Sequence, residues 1–234
     1  MEYRFVFERK EIKYILTREQ KEALLELIAG RMQPDEFGVT KICNIYFDNE
    51  TFRVIRESIE KPKYKEKLRL RTYGVPSDGS HSFVELKKKL NGIVYKRRAE
   101  MPYADALRFL TRGGYDGERT QIIKEIEWVL AKHPDLAPAI ALFYDRQAFF
   151  GTEDPNLRMT LDTNITYRLT DLDLRYGPYG DVLIDGNTYI LELKTNGAVP
   201  LWLSAAFDKL KIYPGSYTKY GNAYKKLLME GYLE

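Results

Sequence analysis

Residues 84–101, "VELKKKLNGIVYKRRAEM", contain the feature that decides the predicted fold. Asn91-Gly92 is a strong two-residue signal for a β-hairpin turn, so we predict two antiparallel strands on either side of it. Pairing outward from the turn gives three opposed pairs, Leu90 with Ile93, Lys87 with Lys96, and Glu85 with Arg98. Side chains alternate along a strand, so one face of this hairpin is apolar and the other is charged.

The charged face of the hairpin places like charges opposite each other. Lys87 and Lys96 destabilise a sheet in that position unless an anion relieves their repulsion. Two interpretations therefore stay open at this point. The lysines of a half-solvated hairpin can extend into water, or the face can bind something negative.

A second basic strand follows from "KYKEKLRLRTYG", residues 63–74. Alternation places four cations on one of its faces, Lys65, Lys67, Arg69 and Arg71. Two unit charges about 4 Å apart repel by about 4 kcal/mol at an effective dielectric of about 20, and water or wider spacing reduces this. Two basic faces on neighbouring segments favour the anion-binding interpretation.

Other strands repeat the pattern with acids beside the bases. The spacing Glu-x-Lys occurs three times, at Glu11/Lys13, Glu85/Lys87 and, within "ILELKTN", at Glu192/Lys194. Tyr144 shares a face with Arg146, and Arg158 shares one with Thr160 and Asp162. Taken singly, each set is an ordinary surface group. Together they predict a sheet whose polar side is rich in Arg and Lys.

The whole chain is predicted to be one α+β domain, residues 1–234. Strand patterns lie near 3–16, 40–47, 64–73, 82–90, 93–100, 138–150, 157–166, 181–184 and 188–195, and helical patterns near 17–30, 103–112, 119–132, 201–211 and 217–230. We expect a mainly antiparallel closed β-barrel of about eight strands, wide enough for one narrow ligand. Flanking helices cover it, and the C-terminal helix is expected to cap the resulting tunnel.

Composition limits the class of protein. The 37 Lys and Arg nearly balance 34 Asp and Glu, so the affinity for anions must come from local clustering. Cys43 is the single cysteine, which excludes an intrachain disulfide and suits a reducing compartment. The charged N-terminus does not resemble a signal peptide, and no apolar run approaches the ~20 residues of a membrane span. We expect a cytoplasmic protein.

Eight segments, in order, resemble the VTC (vacuolar transporter chaperone) domain of the triphosphate tunnel metalloenzymes. They are "ERKEIKY", "IYFDN", "KYKEKLRLRTYG", "VELKKK", "FYDRQAF", "LRMTLDTNITY", "ILELKTN" and "YTKYG", from Glu8 to about Tyr220. The resemblance implies a polyphosphate polymerase that transfers the γ-phosphate of ATP to a growing polyphosphate chain. It also implies a divalent metal cofactor, Mn²⁺ or Mg²⁺, and a membrane partner is possible.

The resemblance implies roles for particular residues. Those that match phosphate-binding catalytic positions are Lys13, Arg69, Arg71, Lys87, Arg146, Arg158 and Lys219. Those assigned to substrate binding are Lys67, Lys96, Arg98, Tyr144, Lys194, Ser216 and Thr218. Glu192 matches the metal ligand, and Glu11 and Glu85 are expected to orient Lys13 and Arg98 or a metal-bound water.

Three other functions remain compatible with the sequence. A tunnel triphosphatase usually begins with Glu-x-Glu-x-Lys, whereas this chain has Arg9 in place of the first acid, which favours chain binding over hydrolysis. A non-catalytic module could bind polyphosphate or another polyanion. Nucleic acid is not the expected partner, because only Tyr73 lies near the cations of its strand for base stacking. A structural domain could present the basic face to an acidic protein.

Overall fold

The computed structural model describes residues 10–60, 62–91 and 93–232, which form ten strands and six α-helices. The chain therefore has an α+β fold. The strands are β1 (Lys10–Thr17), β2 (Met32–Asp48), β3 (Tyr64–Tyr73), β4 (His81–Leu90), β5 (Ile93–Pro102), β6 (Ala137–Gly151), β7 (Arg158–Arg168), β8 (Asp181–Ile184), β9 (Thr188–Thr195) and β10 (Pro214–Gly215). The helices are α1 (Arg18–Leu27), α2 (Arg53–Ile59), α3 (Tyr103–Arg112), α4 (Gln121–Lys132), α5 (Leu201–Lys209) and α6 (Lys219–Met229).

The chain divides into two compact units. Among the described residues, the first comprises 10–40, 144–165 and 184–217, and the second comprises 41–60, 62–91, 93–143, 166–183 and 218–232. Arg9 and the start of the predicted strand at 3–16 lie outside the described residues. The single domain stays a prediction.

The second unit contains the predicted hairpin. β4 and β5 pair antiparallel with Leu90 opposite Ile93, Lys87 opposite Lys96 and Glu85 opposite Arg98, which confirms the predicted register. Asn91 has a positive φ of 48°, as a tight hairpin turn requires. β3 pairs with β4 on one side and with β2 on the other. The four strands thus form one antiparallel ladder.

The apolar face of that ladder packs under α3 and α4. Leu68, Leu70, Val84 and Leu86 are buried there, and they contact a core that includes Tyr103, Phe109, Ile123, Ile126 and Val129. The end of the hairpin departs from the predicted packing, because Leu90, Ile93 and Tyr95 are exposed.

The first unit pairs β1 with β9, β9 with β7, and β1 with the two-residue β10, and all three pairs are antiparallel. Leu191 and Leu193 are fully buried on the core side of β9, together with Met159 and Leu161 of β7. Glu192 and Lys194 therefore lie on the opposite face. Thr17 and Gln20 form the predicted capping box at the start of α1, which ends at Leu27 rather than near Gly30.

The segments that were not predicted are α2, β10, the first half of β2 and a short 3₁₀ helix at Leu174–Tyr176. Helix α2 begins without a local cap, since the preceding Phe52 has a φ of 54° and its side chain cannot accept a capping hydrogen bond. Asp48 substitutes for that cap, accepting hydrogen bonds from the backbone N–H groups of Val54 (2.8 Å) and Ile55 (2.9 Å). A capping residue this far before the helix does not match the usual start signal.

Candidate functional site

Glu85 lies at the centre of the basic face of the second unit. It is fully buried, and its two oxygens contact four cations. Nε of Arg69 and Nε of Arg98 each lie 2.7 Å from the carboxylate, Lys96 Nζ lies 2.7 Å away, and Arg71 Nη1 lies 3.9 Å away. These residues, with Tyr46, are called the Glu85 cluster. Four positive charges around one negative charge leave the cluster with an excess of positive charge.

The strand register explains why these side chains meet. Tyr46, Arg69, Glu85 and Arg98 are directly opposed on β2, β3, β4 and β5, so they form a row across four strands. A second row holds Lys67, Lys87 and Lys96. Neighbouring strands are about 4.8 Å apart, so three lysines in one row repel each other unless an anion lies among them.

The cations of the cluster act on the pKa of its acids and bases. Burial alone raises the pKa of Glu85, but Arg69, Arg71 and Lys96 hold it well below its usual value, so this carboxylate stays ionised. Burial also raises the pKa of Tyr46, and Arg69 and Arg71 more than reverse this, to about 8. Burial lowers the pKa of Lys96 to about 8, more than the adjacent Glu85 raises it.

Arg71 has a fixed position at the inner side of this face. It is buried, and its Nε donates to the side-chain oxygen of Asn44 over 2.9 Å. The amide of Asn44 in turn donates to the carbonyl of Leu142 over 3.0 Å. Tyr46 accepts a hydrogen bond from Arg69 over 3.0 Å. Two side chains of β2 therefore orient two arginines of β3.

The first unit has a corresponding group around Glu192. Lys194 Nζ lies 2.7 Å and Lys13 Nζ lies 3.6 Å from its carboxylate. Lys13 also lies 3.5 Å from Glu11 and donates to the backbone carbonyl of Tyr217 over 3.1 Å. Lys194 and Lys13 are among the cations that hold the pKa of Glu192 well below its usual value, against the effect of burial.

Arg146 and Asp162 form a bidentate ion pair beside Glu192. Nε and Nη2 of Arg146 donate to the two oxygens of Asp162 over 2.7 and 2.8 Å, and Asp162 is fully buried. The guanidinium lies 5.3 Å from the ring centroid of Tyr144. Arg158 is exposed on the same strand as Asp162, opposite Lys194. We call Lys13, Arg146, Arg158, Asp162, Glu192 and Lys194 the Glu192 cluster.

The structure thus brings most of the predicted residues together within their own unit. In the second unit the Glu85 cluster and its lysine row gather Lys67, Arg69, Arg71, Lys87, Lys96 and Arg98. In the first unit the Glu192 cluster contains the predicted residues Lys13, Arg146, Arg158, Glu192 and Lys194, and Tyr144 lies beside Arg146. Ser216 is exposed after β10, outside both clusters, and Thr218 and Lys219 stand at the start of α6. The expected contacts of Glu11 with Lys13 and of Glu85 with Arg98 are confirmed.

Asn44 and Tyr46 belong to the basic face, although neither was predicted to do so. A signal was present, since Ile45 and Phe47 are buried on the core side and alternation places residues 44 and 46 opposite them. Asp48 was not predicted either, and its carboxylate accepts a hydrogen bond from Tyr220 over 2.7 Å. That contact joins residues 172 positions apart, which no local pattern indicates.

The carboxylates fit one kind of metal site. Within residues 10–60, 62–91 and 93–232, no three His, Cys, Asp or Glu side chains converge as a ligand set. Glu192 offers one carboxylate on a cationic face. Glu11, which also contacts Lys13, offers a second. Mg²⁺ and Mn²⁺ favour oxygen ligands, and Mg²⁺ is usually held by one or two carboxylates, water and substrate phosphates. The residues fit that type of site and not an all-protein cage.

Comparison with known proteins gives the fold first. A solved structure from Bacillus halodurans, described as a "putative adenylate cyclase", matches with a TM-score of 0.53 at 13% identity, over 90% of this chain and 95% of the other. The α+β fold of this chain is therefore one that solved proteins share. None of the helices in the described residues is both long and apolar enough to span a membrane.

The family follows from the sequence itself. The model of the VTC domain matches residues 8–228, so the chain belongs to the VTC domain family. Subunit 4 of the vacuolar transporter chaperone complex from Schizosaccharomyces pombe is 27% identical over 158 residues, and subunit 2 from Saccharomyces cerevisiae is 27% identical over 165 residues. These matches cover 58% and 60% of this chain but only 22% and 20% of the relatives. The chain spans about a fifth of their length.

Proposed function

We propose that this protein is a metal-dependent polyphosphate polymerase, which transfers the γ-phosphate of ATP to the end of a polyphosphate chain. The observation that carries the proposal is the excess of cations on the strand faces opposite both cores. The single carboxylate of Glu85 contacts four cations, Arg69, Arg71, Lys96 and Arg98. Bound phosphates would relieve the repulsion that this excess creates. The closed barrel of about eight strands and its basic tunnel belong to this proposal.

Phosphoryl transfer suits such a set of residues. It needs an in-line arrangement and compensation of charge on phosphate oxygens, and little covalent chemistry from the protein. An arginine can bind two phosphate oxygens at once, and a lysine acts as a point charge. Arg158 is assigned to the first task. Arg69, Arg71 and Arg146 already donate to Glu85, Asn44 and Asp162, so they are assigned to contact phosphate through their remaining N–H groups. The lysines assigned as point charges are Lys13, Lys67, Lys87, Lys96, Lys194 and Lys219.

Glu192 is assigned to hold the divalent ion. An ion held there would supply positive charge that stabilises the negative charge of the phosphates during transfer. Lys13 and Lys194 keep Glu192 ionised, and therefore able to bind a cation, over the physiological pH range. In the absence of the ion the same two lysines neutralise the carboxylate.

The state of the acids supports transfer over hydrolysis. Glu11, Glu85, Asp162 and Glu192 each lie within 4 Å of a Lys or Arg. Among them, Glu85 and Glu192 have a pKa that adjacent cations hold well below its usual value against the effect of burial, so these two carboxylates have a low affinity for the proton of an attacking water. The terminal phosphate of a polyphosphate chain is already an anion and needs no such base. We propose ATP and polyphosphate as the partners, the cytoplasm as the location, and a membrane protein as the receiver of the product.

One assay tests the proposal. The purified protein is incubated with ATP and Mn²⁺ or Mg²⁺, and ADP, long polyphosphate and free phosphate are measured. Polyphosphate with a matching amount of ADP is the expected result. Free phosphate alone would instead identify a triphosphatase, and tight binding of polyphosphate without turnover would identify a binding module.

Variants locate the activity on the basic faces. Arg69→Ala and Arg158→Ala should each lose turnover and phosphate affinity, and Glu192→Gln should lose metal-dependent activity. Arg97→Ala is the matched control. Arg97 lies between Lys96 and Arg98 in sequence, but its side chain is on the other face of β5, where it donates to Glu125 of α4. Full activity of Glu192→Gln removes the metal assignment, and equal losses in all the arginine variants contradict the site.

A further inference from the structure

The side chain of Thr160 occupies an unexplained position in the Glu192 cluster. Its Oγ1 atom is buried and has no hydrogen-bond partner among the residues that the structure describes. Buried hydroxyls are nearly always hydrogen-bonded, because desolvation without a partner costs free energy. No described residue accepts a hydrogen bond from this hydroxyl, so its position in the sheet has to explain why it is buried there.

The register of the sheet shows where the hydroxyl lies. Lys13, Glu192 and Thr160 are directly opposed on β1, β9 and β7, and Arg158 is opposed to Lys194 in the adjacent row. Directly opposed side chains on an antiparallel pair share one face, with Cβ atoms about 4.5–5.5 Å apart. Thr160 is thus on the cationic face, between the exposed Arg158 and the buried Asp162.

The neighbours of Thr160 decide the chemistry of its missing partner. Arg146 is already bonded to both oxygens of Asp162, and Glu192 is already in contact with Lys194 and Lys13. The acids of this face are therefore occupied. The remaining positive charge of Arg158, Lys13 and Lys194 attracts an anion, whose oxygens accept hydrogen bonds and offer the Thr160 hydroxyl its acceptor.

We propose that Thr160 is a substrate-binding residue, whose hydroxyl donates a hydrogen bond to a phosphate oxygen of the bound polyphosphate chain. The proposal rests on the proposed function and adds a neutral donor to the cations of the site. In the free protein the unpaired hydroxyl lowers the free energy of unfolding. It forms its hydrogen bond only when substrate is bound. Removing it should weaken phosphate binding without weakening the fold.

Two valine variants on the same strand provide the test. In Thr160→Val the unpaired hydroxyl is removed with little change of shape. In Thr163→Val, the matched control, the lost hydroxyl donates to the carbonyls of Asp185 (3.0 Å) and Thr188 (2.9 Å). Binding of tripolyphosphate is measured by calorimetry in the presence of EDTA, and stability is measured by urea unfolding without ligand.

Thr160→Val should bind tripolyphosphate about tenfold more weakly, the loss expected for one hydrogen bond to a charged group. Its unfolding midpoint should be unchanged or higher. Thr163→Val should show the reverse, a lower midpoint and unchanged affinity, and Thr160→Ser should bind like the parent protein.

Unchanged tripolyphosphate affinity of Thr160→Val would overturn the inference, and so would a loss of stability comparable to that of Thr163→Val. A loss of Mn²⁺ affinity alone, with tripolyphosphate binding intact, would overturn it in favour of a metal ligand. The proposed function is judged separately, because its failure appears as normal tripolyphosphate binding by Arg158→Ala and absence of turnover in the parent protein.

Discussion

Arg69 and Arg98 approach the same buried carboxylate from opposite sides, each with its Nε atom 2.7 Å from an oxygen of Glu85. Because β4 lies between β3 and β5, one acid on the central strand can hold a base on each neighbour. The arrangement keeps two guanidinium groups in fixed positions on a face that otherwise consists of repelling charges. Glu85 therefore stabilises the fold and also orients the two arginines that we propose as phosphate-binding residues.

The substitution Glu85→Gln should destabilise the protein. Breaking a buried ion pair typically costs about 3–5 kcal/mol, and the partial exposure of the cations reduces this to about 2–3 kcal/mol here. Urea unfolding measures the change. Tripolyphosphate should restore more stability to the variant than to the parent, since it supplies the missing negative charge, and equal stabilisation of both proteins would contradict this role.

Glu85 should also make stability depend on acid. Its pKa is lower in the folded state than in the unfolded chain, so its contribution is present at neutral pH and is lost as pH falls from the unfolded value towards the folded one. The free energy of unfolding of the parent protein should therefore fall more steeply below about pH 4.5 than that of Glu85→Gln, a difference that parallel urea titrations across this range measure.

Polyphosphate affinity should fall between pH 7 and pH 9. Lys96 has a pKa lowered to about 8, so it loses its positive charge in this range, while Tyr46, also with a pKa of about 8, gains a negative charge. Both changes weaken anion binding. Calorimetry with tripolyphosphate across this range measures the effect. The double variant Lys96→Arg/Tyr46→Phe should show a flatter profile, and an unchanged slope would exclude both groups as its origin.

Tyr220→Phe should loosen the start of α6. The Tyr220 hydroxyl donates to the buried carboxylate of Asp48, and its ring lies 4.9 Å from that of Tyr46. Losing this hydrogen bond should cost about 1–3 kcal/mol of stability, because its acceptor is charged. Lys219 precedes Tyr220, so KM for ATP should also rise. Tyr224→Phe on the same helix is the control, and equal effects on both would contradict the specific role of Asp48.

Arg168→Met should destabilise the segment that follows β7. Arg168 is buried and donates hydrogen bonds to the carbonyls of Asp171 (2.8 Å), Asp173 (3.0 Å), Gly177 (2.6 Å) and Tyr179 (3.0 Å). The loss of these bonds should cost about 3 kcal/mol in urea unfolding. Arg175→Met serves as the control, since its ion pairs are at the surface and contribute little. A small effect at Arg168 would mean that water replaces the guanidinium.

Local patterns were sufficient for most of the elements. β3, β8, β9 and α3 begin and end where alternation or helical periodicity predicts, and the hairpin register follows from Asn91 and its neighbours. Alternation also identified the faces that carry Arg69, Lys87 and Lys194. These properties depend on residues close in sequence, and their periods are fixed by backbone geometry.

Partners distant in sequence were outside the reach of those patterns. The Glu-x-Lys spacing predicted that Glu85 and Glu192 would face bases, but it did not show that Glu85 is completely buried among four cations. It also assigned no role to Tyr46, Asn44 or Asp48. Their functions in the fold come from contacts across strands and with α6, which depend on how the elements pack.

The amino-acid sequence by itself determined the strand alternation, the hairpin register and the side of each strand on which the cations lie, because each follows from the fixed geometry of a few consecutive residues. Only the tertiary structure decided which acid neutralises which base, and which hydroxyl is left without a partner. Those outcomes depend on the distances between side chains on different strands, and strand order and burial set those distances.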